Sequence, residues 1–311
     1  MSAERGHDCV AVDTVAEDVI GAELADRESA LGNGDPQTQA WTRAAFLTRL
    51  GALSAGGAMA LARCFGGTTG RSVRPQPAGP GGGDPRLRDA SLKARRWDIV
   101  TIGNLSRNRY WGESDDRGLR PAVCTCTLIT GGAFRLLVDP SWAEASAMAR
   151  ELDRRTGLKP GDIQGVFVTH DHGDHVAGLA HFPEARWLAA PGVAGILNAA
   201  GALPRRIEGV TGRLFDTVDI LPLPGHTKTH HGLRFECDGL SVVVAGDAVA
   251  TRDFFLERRS FFNAADFDEA RRTMEAMAAM ADIIVPGHDN YFVNRRPGRR
   301  LDLGFLKRPS P

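Results

Sequence analysis

One short stretch constrains the fold of this chain more than any other. Residues 168–178 read VTHDHGDHVAG and follow an apolar segment, 164–169, that has the character of a strand. His170 and His172 are two positions apart, so in an extended chain their side chains share a face and can bind one metal ion. Asp174 and His175 follow where the chain turns and can reach a second ion. Imidazole and carboxylate ligands suit zinc, iron(II) or manganese, and the stretch contains no cysteine. A histidine-rich polar turn is the alternative interpretation.

Three further candidate ligands each stand at the end of an apolar segment. His226 follows segment 218–223, Asp247 follows segment 240–244, and His288 follows segment 283–285. A folded sheet gathers such strand ends along one edge, where scaffolds commonly place their chemistry. The sequence therefore predicts that these side chains meet the histidine-rich stretch at one edge of a sheet.

The order of these residues resembles the metallo-β-lactamase-fold hydrolase superfamily over about residues 97–294. The matching positions are His170, His172, Asp174, His175, His226, Asp247 and His288. The resemblance implies an α/β fold, a four-layered αββα sandwich with its metals at one edge between two sheets. The pattern of apolar segments is consistent with this: strands are expected at 97–102, 122–129, 134–138, 164–169, 186–189, 218–223, 233–237, 240–244 and 283–285, and helices at 141–155, 176–181, 191–200 and 266–281.

The resemblance also implies a role for each of the seven residues. A first metal would be held by three histidines, which are His170, His172 and His226. A second would be held by Asp174, His175 and His288, with Asp247 bridging the two. Asp139, after the expected strand 134–138, resembles the aspartate that lies beneath the metals and orients their ligands, a role compatible with a turn or helix-capping residue.

The predicted activity is hydrolysis that depends on two divalent ions. Zinc is the expected metal, with manganese or iron as alternatives. Two such ions bind a shared water and can lower its pKa to about 7, so that a bridging hydroxide attacks the carbonyl of an ester, thioester or lactone. Asp174 is the candidate catalytic residue, orienting the hydroxide and passing a proton to the leaving group.

Two other hydrolase classes stay open, a nuclease or phosphodiesterase and a β-lactam hydrolase. Only 20 residues separate His226 from Asp247, which leaves no room for the large inserted domain of the nucleic-acid-cleaving branch of the family. The antibiotic-hydrolysing β-lactamases generally lack the bridging aspartate. Ala250, three residues after Asp247, stands where some acyl-homoserine lactonases have tyrosine, so the resemblance does not select that substrate either.

Other residues near the motifs are open to more than one interpretation. His230 and His231 are candidates to line the substrate pocket or to lie in a solvated loop. Cys124 and Cys126 alternate along a strand and are predicted to pack in the core. The phenylalanines that follow Asp247 are predicted either to line the pocket or to lie in the core; they are Phe254, Phe255, Phe261 and Phe262.

The chain divides into four predicted regions. Residues 1–40 are acidic and almost without aromatics, which predicts a disordered arm. Residues 41–65 resemble a degenerate twin-arginine export signal, with Ala44 in place of the second arginine, or form an ordinary apolar segment. Residues 66–95 are a Gly/Pro/Arg-rich linker, and 96–311 form the hydrolase domain.

Charge and hydropathy bear on location and partners. The apolar run within residues 41–65 is too short for a stable membrane span, so the cytoplasm and export remain alternative locations. The net charge is zero, which argues against nucleic acid as a partner and favours a small-molecule substrate. The sequence does not fix the oligomeric state.

Overall fold

The computed structural model describes residues 10–12 and 93–301. The predicted arm, signal-like segment and linker therefore lie outside the described residues, apart from the first strand and the last residues of the linker. Among the described residues, no helix is both long and apolar enough to cross a membrane.

The first sheet has seven strands whose spatial order follows the chain. They are β1 (Val10–Val12), β2 (Ala94–Thr101), β3 (Cys126–Gly131), β4 (Arg135–Val138), β5 (Gly165–Val168), β6 (Arg186–Ala189) and β7 (Glu208–Gly209). β1 pairs with β2 in parallel, β2, β3 and β4 are antiparallel neighbours, and the strands from β4 to β7 are parallel. The parallel half brings the carboxyl ends of β4, β5 and β6 to the same edge.

The second sheet has six strands in the order β13, β12, β11, β10, β9, β8. They are β8 (Arg213–Leu214), β9 (Val218–Pro222), β10 (His231–Cys237), β11 (Leu240–Gly246), β12 (Ile283–Pro286) and β13 (Phe292–Val293). β11 and β12 are parallel, and the other pairs are antiparallel. The carboxyl ends of β11 and β12 therefore also lie side by side.

Within residues 93–301, five α-helices accompany the sheets: α1 (Ala145–Thr156), α2 (Gly173–Val176), α3 (Pro191–Ala200), α4 (Arg252–Leu256) and α5 (Phe267–Met280). Short 3-10 turns occur at Arg109–Trp111, Pro160–Asp162 and Leu179–His181. α5 begins where the side chain of Asp266 accepts a hydrogen bond from the Glu269 amide, as an N-cap residue does. α1 ends at Gly157, whose φ of 71° is the left-handed conformation that closes many helices.

The two sheets pack face to face with helices outside, because their strands alternate between two buried faces. In β4, Leu136 and Val138 point into the core between the sheets, whereas Leu137 packs with Met148 and Leu152 of α1. In the second sheet, alternate strand residues contact α5 through Ala270, Met274 and Met277, which repeat at helical spacing. The predicted four-layered αββα sandwich is confirmed.

Several elements differ from the sequence-based expectation. β6 and α3 have the predicted bounds, but α1 begins at Ala145 rather than at residue 141. The reason is that the residues before it are held elsewhere: the Pro140 carbonyl accepts from the Gly178 amide at 2.8 Å, and Trp142 Nε1 donates to Thr101 Oγ1 at 3.0 Å. The predicted helix 176–181 is instead α2, which begins earlier, and a separate 3-10 turn.

Candidate metal centre

The strand ends of both sheets bring all seven candidate ligands together. His170 and His172 follow β5, Asp174 and His175 lie in α2, and His226, Asp247 and His288 follow β9, β11 and β12 respectively. The ligand atoms form two groups, within each of which they lie within 4.8 Å of one another. The first group is His170, His172, His226 and Asp247. The second is Asp174, His175 and His288.

Three histidine nitrogens and one carboxylate oxygen converge in the first group. His172 Nδ1 lies 3.0 Å from His170 Nε2 and 3.0 Å from His226 Nε2. Asp247 Oδ2 lies 3.3 Å from His226 Nε2 and 3.8 Å from His170 Nε2. When imidazole nitrogens face one another, only some of their lone pairs can accept a hydrogen bond from a neighbouring N–H. A cation at the centre of the group can bind all of these lone pairs.

The second group converges on the other oxygen of Asp247. Asp247 Oδ1 lies 3.1 Å from His175 Nε2 and 3.2 Å from His288 Nε2. Asp174 Oδ2 lies 3.5 Å from His288 Nε2 and 3.9 Å from His175 Nε2. Asp247 Oδ1 and His175 Nε2 are buried and have no hydrogen-bond partner. Two buried polar atoms of this kind fit a metal ion, which satisfies both.

Asp139 orients ligands of both groups from beneath. Its Oδ2 accepts from His175 Nδ1 at 2.8 Å and from Thr169 Oγ1 at 2.7 Å, and its Oδ1 accepts from the Thr169 amide at 2.8 Å. Thr169 Oγ1 in turn lies 3.1 Å from His170 Nδ1. With these Nδ1 atoms engaged, both histidines present Nε2 to the centre. Asp139 has a φ of 51°, a left-handed conformation that aspartate tolerates better than most residues.

His288 is oriented by backbone instead. Its Nδ1–H donates to the carbonyls of Val123 at 2.9 Å and Asn104 at 3.1 Å. Its own amide donates to the Ala250 carbonyl at 2.9 Å. The ring is therefore held with Nε2 towards Asp247, and the loop between β2 and β3 is attached directly to a candidate ligand.

The charges of the two groups differ. Burial lowers the pKa of His170 well below its usual value and that of His226 to about 4, which keeps both rings neutral as ligands must be. Burial also opposes charge on His175, but Asp247, Asp139 and Asp174 outweigh it and raise the His175 pKa well above its usual value. Three carboxylates thus favour positive charge at the second group, which a divalent cation supplies.

Two glycines next to ligands allow close backbone approach. A Cβ on Gly287 would lie 2.0 Å from Asp247 Oδ1. Gly225, which precedes His226, has a φ of 130°. A Cβ added to Gly225 would lie 2.3 Å from the backbone of Ala270 in α5. The glycine of each Pro-Gly-His segment is therefore required by packing, and Gly225 is also required by its positive φ.

The position of His230 differs from both sequence-based predictions. It is neither a solvated loop residue nor at the pocket surface: the residue is fully buried, and its ring stacks on His170 with centroids 4.8 Å apart. Neither of its ring nitrogens has a hydrogen-bond partner. His231, by contrast, is half-buried and donates through Nδ1 to the Thr229 carbonyl at 2.8 Å. The position of His230 four residues after the candidate ligand His226 was the sequence feature that could have indicated its place next to the centre.

The cysteines and the phenylalanines divide between core and site. Cys126 lies in the core under α1, as predicted. Cys124 is equally buried, but its thiol lies beneath the centre, 3.2 Å from the Asp174 carbonyl and 3.4 Å from that of Asp139. Of the four phenylalanines after Asp247, three are buried and Phe262 is 45% exposed.

The centre opens to solvent on one side. Asp174 has a side chain that is 21% exposed, and His172 is also half-buried, whereas the other five candidate ligands are buried. A substrate therefore approaches from the side of these two residues.

The family model described as the metallo-beta-lactamase superfamily matches residues 119–288, the segment that contains every candidate ligand. The chain belongs to the metallo-beta-lactamase superfamily. The resemblance to this superfamily that the sequence suggested is thereby confirmed.

Relatives within the superfamily match parts of the chain. It is 34% identical over 142 residues to the human metallo-beta-lactamase domain-containing protein 1, covering 42% of this chain and 49% of that protein. It is 32% identical over 117 residues to the hydroxyacylglutathione hydrolase of Xanthomonas axonopodis pv. citri, covering 36% of this chain and 41% of that enzyme. The chain thus spans about half the length of these curated relatives or less.

The solved structures agree on the fold. An N-acyl homoserine lactone hydrolase with N-hexanoyl-L-homoserine at its catalytic metal center superposes with a TM-score of 0.51 at 21% identity, covering 62% of this chain and 92% of that one. At this identity the similarity shows the metallo-beta-lactamase fold alone.

Proposed function

We propose that this protein is a dinuclear hydrolase that cleaves an ester, thioester or lactone. The observation that carries the proposal is the position of Asp247. Its Oδ2 lies 3.3 Å from His226 in the first group, and its Oδ1 lies 3.1 Å from His175 in the second. A carboxylate that offers one oxygen to each of two ligand groups is suited to bridge two ions.

Each group would hold one divalent ion. The first would be bound by His170, His172, His226 and Asp247 Oδ2. The second would be bound by Asp174, His175, His288 and Asp247 Oδ1. When bound, a metal pair in such a site polarises a carbonyl oxygen and lowers the pKa of water enough to supply a nucleophile at neutral pH. We expect zinc, since neutral imidazoles with carboxylates and no thiolate suit a catalytic zinc site, although manganese and iron accept the same ligands.

Asp174 is the proposed proton carrier. It stands between the second group and the opening, with its Oδ2 3.5 Å from His288 Nε2 and about a fifth of its side chain exposed. From there its carboxylate can orient a water, accept a proton from it during the attack, and pass that proton to the departing alkoxide or thiolate. The thiol of Cys124 donates to the Asp174 carbonyl from below and fixes the backbone of this residue.

The name of one similar enzyme and the net charge of the chain favour a carbonyl substrate over a polynucleotide. Among the similar proteins, the Xanthomonas enzyme is named for hydrolysis of hydroxyacylglutathione, an acyl compound. The net charge of zero supplies no general attraction for a polyanion. A nuclease or phosphodiesterase and a β-lactam hydrolase are the outcomes against which the proposal is tested.

The test combines metal content with a substrate screen. The protein is purified without added metal, its metal is counted per chain, and p-nitrophenyl esters, a thioester, a lactone, a cephalosporin and a phosphodiester are offered. We expect about two equivalents of metal and turnover of a carbonyl substrate. Turnover of the phosphodiester or the cephalosporin alone would move the assignment to that class. One equivalent of iron without hydrolysis would overturn the proposal.

A further inference from the structure

A buried arginine without a partner lies in the loop between β2 and β3. Arg107 is only 8% exposed, and its Nε has no hydrogen-bond partner. Within the described part of the chain its guanidinium forms no ion pair. The contact that it does make is with an aromatic ring: its Cζ lies 3.6 Å from the ring centroid of Phe262. The positive charge thus lies against one aromatic face and has no carboxylate partner among the described residues.

Two other arginines of the same loop are paired. Arg109 donates to Asp115 at 3.1 Å, and Arg120 forms an ion pair with Glu113. Both of these arginines are more exposed than Arg107. Asp115 and Glu113 are therefore paired with arginines that water already solvates, and the more buried guanidinium of Arg107 has no carboxylate partner. Because a buried, unpaired charge is costly, this arrangement is favourable only if another anion reaches Arg107.

The loop lies beside the metal centre. Asn104 accepts a hydrogen bond from His288 Nδ1, and three residues of extended chain place the Cα of Arg107 within about 11 Å of that of Asn104. Leu105 packs with Ala250 and Phe261, and the Ala250 carbonyl accepts from the His288 amide. Arg107 and Phe262 thus lie in the two segments that meet next to His288, 104–107 and 260–262, which we call the wall.

A second buried polar group without a partner occurs in the same wall. Ser260 is 6% exposed, its Oγ has no hydrogen-bond partner, and it lies two residues before Phe262. A hydroxyl that is buried without a partner usually marks a place where a ligand or water binds. Phe262 itself is 45% exposed, so this wall is open to a molecule that enters from solvent.

We propose that Arg107 and Ser260 bind an oxyanion of the substrate, a carboxylate or a phosphate, while the metal centre acts on its carbonyl. This inference rests on the proposed function and adds the substrate class: an ester or thioester that carries a negative charge away from the scissile bond. A guanidinium with one face on an aromatic ring still has its edge free, and that edge matches an oxyanion with two parallel hydrogen bonds.

Binding is tested first, because it does not depend on turnover. Monomethyl glutarate and inorganic phosphate are titrated by calorimetry into the protein as purified, into Arg107→Met and into Arg109→Met. Methionine keeps packing against Phe262 but has no charge. At least one of the two anions should bind, and its Kd should weaken about tenfold or more in Arg107→Met while staying the same in Arg109→Met. The better ligand distinguishes carboxylate from phosphate. No binding of either anion, or an equal Kd in all three proteins, would overturn the proposal.

Selectivity is the second readout. The ratio of kcat/KM for a p-nitrophenyl ester with a terminal carboxylate to that for the matched neutral ester should fall about tenfold or more in Arg107→Met, and it should be unchanged in Arg109→Met. An unchanged ratio in Arg107→Met would contradict the assignment. If the unmodified protein hydrolysed no ester, thioester or lactone, the proposed function would be contradicted, yet the calorimetric result on Arg107 would still stand.

Discussion

His230 lies nearly flat against His170: their ring centroids are 4.8 Å apart and the ring planes differ by 27°. His170 is also held at its edge by Thr169, whose Oγ1 lies 3.1 Å from His170 Nδ1. The first candidate ligand is therefore fixed between a hydrogen bond and a stacked ring, and the ring contributes no ligand atom of its own.

Removal of that ring should loosen the first metal. In His230→Ala we expect metal affinity at the first group to fall about 10-fold to 100-fold, since second-layer contacts commonly have this effect. Competition with a chromogenic chelator measures it. His230→Phe retains a ring and should recover most of the affinity, while His231→Ala should leave it unchanged. Equal affinity in His230→Ala and the unmodified protein would show that the stack does not position His170.

Asp139 should control both metals at once, because it reaches His175 directly and His170 through Thr169. Asp139→Asn keeps the size of the side chain and tolerates the positive φ, but it brings only one oxygen to three donors. We expect both metal equivalents to bind about 10-fold or more weakly, with little change in the circular dichroism spectrum. Weakening of one equivalent alone would disprove the link through Thr169.

Asp247→Ala should abolish nearly all hydrolysis and lose the second metal, since the bridging carboxylate is the proposed connection between the two groups. The protein should remain folded, because Asp247 lies at a strand end outside the hydrophobic clusters. Metal analysis of dialysed protein measures the loss. His181→Ala is the matched control: His181 Nε2 bonds to the Ala143 carbonyl, outside both groups, and its removal should leave both equivalents. Two metals and full activity in Asp247→Ala would disprove the bridge.

Asp282 should stabilise the fold in a pH-dependent way. Burial alone would raise its pKa, but hydrogen bonds from Arg299, the Ser241 amide and Arg296 outweigh burial and hold the pKa below its usual range. A carboxyl group with a lowered pKa in the folded state stabilises fully above its unfolded pKa, about 3.9, and this contribution is lost as pH falls through the lower folded value.

The matching variant is Asp282→Asn. Its free energy of unfolding in urea at pH 7 should be about 3 kcal/mol smaller than that of the unmodified protein, because two arginines lose their buried partner. The difference should shrink below about pH 4, where the unmodified carboxyl also becomes protonated. Asp268→Asn, at a side chain 79% exposed, should change stability by less than about 1 kcal/mol. A difference that stays constant with pH would rule out the charge as its source.

The convergence of the seven candidate ligands could be predicted from sequence, because each of them stands in a local pattern. A histidine or aspartate that follows an apolar segment can be recognised without knowing its partners. The bounds of β6 and α3 follow from the consecutive apolar residues 187–189 and from Pro191 at the helix start. Short strands such as β7 and β8 have too few apolar residues to be visible.

Other features depend on contacts between distant segments. His230 is buried because it stacks on His170 and because Gly246 lies so close that an added Cβ would be 3.0 Å from His230 Nε2, and no local pattern encodes these contacts. The position of Arg107 is equally non-local, since its guanidinium lies on the ring of Phe262, which is far along the chain.

The loop between β2 and β3 leaves and rejoins the body of the protein at one place. Asn104 and Val123 exchange two backbone hydrogen bonds, of 2.8 and 3.0 Å. The carbonyls of both residues also accept a hydrogen bond from His288 Nδ1. Within this closure the loop has its own ion pairs. It can therefore behave as an exchangeable cassette: insertions or replacements between the two residues can give rise to new substrate preferences during evolution, or be grafted in the laboratory, while the sheets and the ligands keep their places.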